Sequence, residues 1–119
     1  GISNIYLTEP LNYPAFCHAM KGSRIILSDS GGVQEEAPAL GKPVLVLRDT
    51  TERPEGLEAG TCRLVGPHQG RITSALTELL FDPETYRMMA GAVNPYGDGR
   101  ASERIARAIA GEPIEEWEG

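Results

Sequence analysis

The sequence predicts an α/β fold in which a Rossmann-like parallel sheet is flanked by helices. Short apolar runs rich in Ile, Val and Leu indicate buried strands of the kind that parallel sheets contain. Amphipathic segments with helical spacing separate these runs or follow them. This alternation indicates parallel pairing through right-handed crossovers. Four predicted strands make a small sheet, so we expect it to belong to a larger one.

The first elements are predicted from apolar spacing and from the positions of glycine and proline. Residues 4–8 (NIYLT) predict a first strand. Residues 13–22 predict a helix that has Phe16 and Met20 one turn apart and ends at its glycine. Residues 24–28 (RIILS) predict the second strand, which is continuously apolar as in a doubly covered sheet.

The middle of the chain predicts a helix, two strands and a loop. A helix from about residue 33 to residue 40 places its apolar side chains on one face and ends at Gly41. Residues 43–47 and 62–65 predict the third and fourth strands. The polar loop between them has room for at most one helical turn after Pro54.

Three more helices are predicted in the C-terminal part of the chain. Residues 71–82 carry a clear apolar stripe, and residues 83–92 begin with a proline, which suits a first helical position. Residues 101–110 predict the last helix. Its apolar face consists of Ile105, Ala108 and Ile109, and we expect this face to point toward the core.

Charge and cysteine content exclude several classes of partner. The 119 residues carry a net charge of −6 and no cluster of Lys or Arg, so we expect no nucleic-acid partner. No apolar run approaches the roughly 20 residues of a membrane span, and no signal-peptide pattern opens the chain. We therefore expect a cytoplasmic protein without membrane contact. Cys17 and Cys62 are isolated, which predicts buried free thiols, and we expect neither a metal nor a cofactor.

The stretch LSDSGGVQEE, residues 27–36, is the first candidate site. Ligands of open α/β sheets collect beyond the carboxyl ends of strands. Gly31 and Gly32 lack Cβ atoms, so their N–H groups can approach a phosphate, and a helix start adds positive charge. Ser30 can cap the helix or donate to a phosphate oxygen. The spacing alone fits a tight turn that caps a helix equally well, and it is neither a Walker nor a dinucleotide motif.

Glu35 and Glu36 follow the glycines within one helical turn. Carboxylates suit the start of a helix, so helix stabilisation alone would explain them. Beside a phosphate, however, a carboxylate needs another part of the ligand to face. The neighbouring hydroxyls of a ribose are donors, and a carboxylate accepts with two oxygens. Phosphate on the amides and ribose on a glutamate one turn later would make a nucleotide site.

Two longer motifs resemble a known family. The stretch SDSGGVQEEAPALGKPVLVLRDTTERPEGLEAGT is similar to the signature of the non-hydrolysing UDP-N-acetylglucosamine 2-epimerases, and NPYGDGRASERI resembles the C-terminal motif of that family. The resemblance extends from about Asn4 to about Ala110. It implies a glycosyltransferase-B-like architecture of two Rossmann-like domains with the active site between them. Residues 1–110 would be the UDP-binding C-terminal portion, within the second domain, and residues 111–119 an acidic, flexible tail.

The resemblance implies a set of UDP-binding residues: Ser30, Gly31, Gly32, Glu36, Phe16 and Arg53. The Ser-Gly-Gly turn would bind the diphosphate. Glu36 would accept the ribose hydroxyls, Phe16 would lie near the uracil, and Arg53 would lie close to the ligand in the loop after the third strand. Apart from the resemblance, an aromatic residue on a helix is more often part of the core, and an arginine before a proline more often anchors a loop.

The reaction implied is an isomerisation that interconverts UDP-GlcNAc and UDP-ManNAc. UDP is eliminated to leave a glycal-like intermediate and then re-adds, with the opposite configuration at C2. The family's catalytic acids and its catalytic histidine lie outside the motifs present here, so we assign no catalytic residue and expect the chain alone to be inactive. The resemblance also implies that the chain has the N-terminal domain of the same enzyme as its partner. It further implies that the whole enzyme is a homodimer with a role in polysaccharide biosynthesis.

Two alternatives to the epimerase remain at this point. The first is the UDP-sugar donor-binding domain of a glycosyltransferase, which would also place amides on phosphate and a glutamate on ribose. It would not be expected to carry TTERPE and NPYGDG together. The second is a non-catalytic nucleotide-binding module.

The NPYGDG loop carries a hypothesis of its own. Its proline and glycines are ordinary turn residues and explain the loop by themselves. In two-domain proteins of this architecture the last helix tends to pass back toward the first domain. We expect Tyr96 and Asp98 to help fix that crossing.

Overall fold

A computed structural model describes residues 2–117 of the chain. Its centre is a parallel sheet with the strand order β1 (Ile26–Ser28), β2 (Val44–Val46) and β3 (Cys62–Leu64). Ile26 lies opposite Val44, and Val44 lies opposite Cys62. The predicted α/β class with a parallel sheet is confirmed.

Helices precede, separate and follow the strands. Within residues 2–117 they are α1 (Tyr13–Gly22), α2 (Gly31–Glu36), α3 (Pro54–Ala59), α4 (Gln69–Phe81), α5 (Pro83–Ala90) and α6 (Ala101–Ile109). A 3₁₀ helix, Ala37–Leu40, continues α2 and ends at Gly41, whose φ of 66° gives the left-handed stop that the sequence predicts. With six residues, α3 is longer than the single turn predicted.

The core lies on both faces of the sheet. Alternation along β2 sends Val44 and Val46 to one face and Leu45 to the other, and all three are fully buried. The first face is covered by α1 and α2 through Met20 and Val33. The second is covered by α4 and α5 through buried residues of both helices. This layering leaves the carboxyl ends of the strands open for loops.

The predicted strand at residues 4–8 is absent. That segment has no regular secondary structure, and Tyr6 and Leu7 are 84% and 95% exposed. A strand is stabilised by pairing with a neighbour, and within residues 2–117 only the three strands of the sheet are paired. The prediction of four strands was therefore wrong, because an apolar run records β propensity but not the partner.

The inward orientation predicted for the last helix was also wrong. The helix itself is present, but Ile105 and Ile109 are 60% and 82% exposed, and Ala108 is exposed as well. No residue of α6 is buried by the described part of the chain. Helical periodicity predicts which face is apolar, but not whether another element covers it.

Smaller differences affect boundaries and thiols. The strand predicted from residue 24 begins at Ile26, and the helix predicted from about residue 33 begins at Gly31. Both cysteines are free as predicted, but Cys17 is only half-buried, whereas Cys62 is buried. Burial raises the pKa of Cys62 to about 11. In residues 2–117 no helix has the length and apolarity that crossing a bilayer requires.

Candidate functional site

The candidate site lies where the loops after β1 and β2 meet. Both strands are parallel, so their carboxyl ends are at the same edge of the sheet. The first loop contains the Ser-Gly-Gly turn and enters α2, and the second runs from Leu47 to Arg53 and enters α3. Residues far apart in the chain are thereby brought together at one edge.

The Ser-Gly-Gly turn is the start of α2. Ser30 is the N-cap, and its Oγ accepts the N–H of Val33 at 3.4 Å, as the sequence predicts. Ser28 Oγ accepts the N–H of Ser30 at 3.1 Å and fixes the approach to the helix. Gly31 and Gly32 are the first two helical residues, a position at which backbone N–H groups have no acceptor within the helix.

Arg53 lies directly against this turn. A Cβ atom built on Gly31 would be 3.0 Å from Cζ and 3.0 Å from Nη1 of Arg53. The lack of a side chain at Gly31 therefore allows the guanidinium to approach the helix start. A cation and free amides at one place form a site suited to a phosphate or another anion.

Glu35 and Glu36, which are adjacent in sequence, have different partners. Nε of Arg53 donates to Oε1 of Glu35. Glu36 accepts instead from the hydroxyl of Tyr13, with 2.9 Å between the oxygens. This hydrogen bond is the main cause that raises the pKa of Tyr13 to about 12. The Glu36 carboxylate thus lies on the α1 side, one helical turn beyond the glycines, with lone pairs left for further donors.

Phe16 lies one turn after Tyr13 on α1. Its ring is half-buried and packs against the core residues on this face of the sheet. The structure therefore gives Phe16 a packing role, and its predicted place near the uracil stays a prediction. Arg53 lies against the turn, and Glu36 belongs to the helix that the turn begins.

A buried polar network beneath the turn was not predicted from the sequence. Gln34 is fully buried, and Oε1 accepts from the Thr51 hydroxyl at 2.6 Å. Nε2 of Gln34 donates to the carbonyl of Ser30 at 3.4 Å. Thr51 Oγ1 in turn accepts the N–H of Arg53 at 3.0 Å. The only sequence signal was a glutamine on the core-facing side of a short helix.

The NPYGDG loop reaches the same place through Tyr96. The Tyr96 hydroxyl accepts the N–H of Gly56 at 3.0 Å and donates to the carbonyl of Arg53 at 3.4 Å. Burial raises the pKa of Tyr96. Asp98 faces away toward α6, where its two oxygens pair with Arg104 at 2.7 and 2.6 Å. The two residues therefore tie the loop to α3 on one side and to α6 on the other, and their predicted role toward a first domain stays a prediction.

Within residues 2–117 the site contains no cluster of His, Cys, Asp and Glu arranged to hold a metal ion. His18 is exposed on α1, and His68 lies 3.0 Å from Asp49 in the loops after β2 and β3. What the arrangement offers chemically is an anion site next to a carboxylate acceptor. That combination suits a ligand with a phosphate group at one end and hydroxyls nearby.

Comparisons with known proteins agree on one family. A family model described as UDP-N-acetylglucosamine 2-epimerase matches residues 1–110. A relative from Ralstonia solanacearum, a probable UDP-N-acetylglucosamine 2-epimerase, is 61% identical over 109 residues, which are 92% of this chain and 29% of the relative. The chain thus spans less than a third of the length of this curated relative.

Solved structures give the same result. The crystal structure of UDP-GlcNAc 2-epimerase from Neisseria meningitidis bound to UDP-GlcNAc has a TM-score of 0.90 at 53% identity, over 93% of this chain and 30% of that one. The Methanocaldococcus jannaschii UDP-GlcNAc 2-epimerase in complex with UDP-GlcNAc and UDP has a TM-score of 0.74 at 40% identity, over 91% and 29%. These neighbours, which are glycosyltransferase-B-like epimerases, confirm the predicted fold of a parallel sheet flanked by helices. The chain belongs to the UDP-N-acetylglucosamine 2-epimerase family.

Proposed function

We propose that this chain is the UDP-holding portion of an enzyme that interconverts UDP-GlcNAc and UDP-ManNAc. The observation that carries the proposal is the position of the Arg53 guanidinium against Gly31 at the start of α2. Family membership supplies the class of ligand, since related epimerases have been solved with UDP-GlcNAc or UDP bound. The same comparisons give no support to a glycosyltransferase donor domain or to a non-catalytic module.

The diphosphate would be bound by the turn and by Arg53. The N–H groups of Gly31 and Gly32 and the hydroxyl of Ser30 are donors, and the guanidinium adds a positive charge. Elimination of UDP moves negative charge onto the departing diphosphate. Fixed donors that meet this charge stabilise the transition state more than the ground state.

The nucleoside would extend from the turn toward α1. Glu36 would accept from the ribose hydroxyls, and the Tyr13 hydroxyl already holds its carboxylate on that side. Phe16, one turn further along α1, would lie near the uracil. The groups that move protons at C2 and C3 would come from the part of the epimerase that corresponds to the rest of its relatives' length.

The proposal extends to setting and assembly. We expect the whole enzyme to be a homodimer that serves polysaccharide biosynthesis, as the family resemblance implies, and we expect it to be cytoplasmic. The substrate partner has the most support, because the solved relatives contain it.

A segment exchange tests the proposed function. Residues 1–110 would replace the matching segment of the Neisseria meningitidis epimerase, and conversion of UDP-GlcNAc to UDP-ManNAc would be assayed. Retained conversion is expected, because the pieces are 53% identical and share one fold. A hybrid that unfolds cooperatively and binds no UDP would overturn the proposal. Arg63→Ala in the hybrid is a control substitution that should leave conversion unchanged, since Arg63 pairs with Glu78 away from the turn.

A further inference from the structure

Gln34 occupies a position where an apolar side chain would be expected. It is fully buried on α2 beside Val33, which belongs to the core. Burying a primary amide is costly unless both of its ends are hydrogen-bonded. Both ends are bonded here, and the partners belong to two different loops: Ser30 of the glycine turn and Thr51 of the loop after β2. The amide therefore joins the two halves of the site.

The hydrogen bonds run in one direction between the halves. The Arg53 N–H donates to Thr51 Oγ1, and the Thr51 hydroxyl donates to Oε1 of Gln34. The Gln34 amide then donates to the Ser30 carbonyl. Each donor and acceptor is used in a consistent sense, and within residues 2–117 no buried side-chain nitrogen or oxygen is left without a partner.

The consequence concerns the backbone of Arg53. The position of its Cα atom limits where the guanidinium of Arg53 can lie beside Gly31. Thr51 Oγ1 accepts the N–H of Arg53, and the Tyr96 hydroxyl donates to the Arg53 carbonyl, so both backbone groups of Arg53 are hydrogen-bonded. The backbone of Arg53 is thus fixed by two partners outside the anion site, while Glu35 bonds the guanidinium that lies against the turn.

We infer that Gln34 and Thr51 are positioning residues that set Arg53 against the Ser-Gly-Gly turn and thereby determine how tightly the diphosphate of UDP is bound. The identity of the ligand in this inference rests on the proposed function. The placement of Arg53 is independent of the proposed function and can be measured without ligand.

The first test uses the ligand-free 119-residue chain. In Thr51→Val, which keeps the shape but removes the hydroxyl, the Arg53 Nε–Hε signal should shift from its native NMR position, because the backbone that places the guanidinium between Gly31 and Glu35 is no longer fixed. Thr51→Ser restores the hydroxyl and should restore the signal. Thr73→Val, at an exposed position of α4, is the matched control. An unchanged Arg53 signal in Thr51→Val would overturn the inference, whatever the chain binds.

The second test is a double-mutant cycle on UDP affinity, measured by calorimetry. Thr51→Val should weaken binding about fivefold in the native background and less than about twofold in Arg53→Ala, because its effect passes through Arg53. Gln34→Met should behave in the same way. Equal losses in both backgrounds would contradict the inference and leave Thr51 a general stabilising residue. Absence of UDP binding by the unaltered chain would count against the proposed function, and the ligand-free test would still decide the placement of Arg53.

Discussion

The edge of the sheet around Arg53 and the outer face of α6 differ in how completely their groups are satisfied. Around Arg53, partly buried polar atoms are bonded between α2, the loop after β2 and the NPYGDG loop, which come from distant parts of the sequence. On α6, Ile105 and Ile109 are exposed although the helix is strongly amphipathic. The difference teaches that the polar groups at this edge find their partners within residues 2–117, whereas the apolar face of α6 is not covered there.

The largest effect is expected from Arg53→Ala. Loss of a charged hydrogen-bonding group should weaken UDP binding about 100-fold, since such bonds contribute about 1.5–3 kcal/mol. Isothermal titration of UDP measures the change, and Arg63→Ala is the matched arginine control. Equal affinities of the two variants for UDP would mean that Arg53 and the Ser-Gly-Gly turn do not form the anion site.

Glu36→Ala should come next, with a loss of roughly tenfold to a hundredfold in UDP affinity and little loss of fold. Glu35→Ala should matter less, because Glu35 faces Arg53 and not the α1 side. Titrations of UDP and of a 2′,3′-dideoxy analogue separate the roles. If Glu36→Ala bound both ligands as the unaltered chain does, Glu36 would be only a helix residue.

Gly56→Ala tests the packing below Arg53. An added Cβ would lie 2.9 Å from the Tyr96 hydroxyl and 2.9 Å from Cys62 Sγ, so the anchor of the NPYGDG loop would have to move. We expect the free energy of unfolding in urea to fall by about 1–3 kcal/mol. Gly70→Ala is the control, because a Cβ there meets nothing within 4 Å. Identical unfolding curves for the two variants would contradict the crowding argument.

The acid dependence of stability should involve Asp98. The Arg104 guanidinium holds the pKa of Asp98 well below its ordinary 3.8, so the unfolded chain binds a proton at higher pH than the folded one. The stabilisation is therefore fully present above pH 3.8 and is lost as the pH falls toward the lowered value. Asp98→Asn should flatten this part of the stability–pH curve, and Glu58→Gln, at an exposed position of α3, should not.

The smallest effect is expected on the outer face of α6. Ile109→Ala should change the free energy of unfolding by less than about 0.5 kcal/mol, because the side chain is 82% exposed. Leu79→Ala, at a fully buried site, should cost about 2–5 kcal/mol. Thermal and urea unfolding give both values. A large cost for Ile109→Ala would show that the face is covered after all.

Local patterns predicted much of this molecule. The helix at residues 13–22, the start of α5 at Pro83 and the capped Ser-Gly-Gly turn follow from signals within a few residues of each other. The predictions of a strand at residues 4–8 and of a buried face on α6 were wrong, because both features depend on partners distant in the chain. The Gln34–Thr51 bond, 17 residues apart, and the Tyr96–Gly56 bond, 40 residues apart, were missed for the same reason.

The ion pair between Arg53 and Glu35 has a consequence for the entropy of binding. A free arginine side chain loses up to about 2 kcal/mol of rotamer freedom when it is immobilised. Arg53 is already held by Glu35 and by its anchored backbone, so much of this loss occurs when the chain folds. The arginine is therefore preorganised, and a ligand that meets it is spared most of the cost of ordering the side chain.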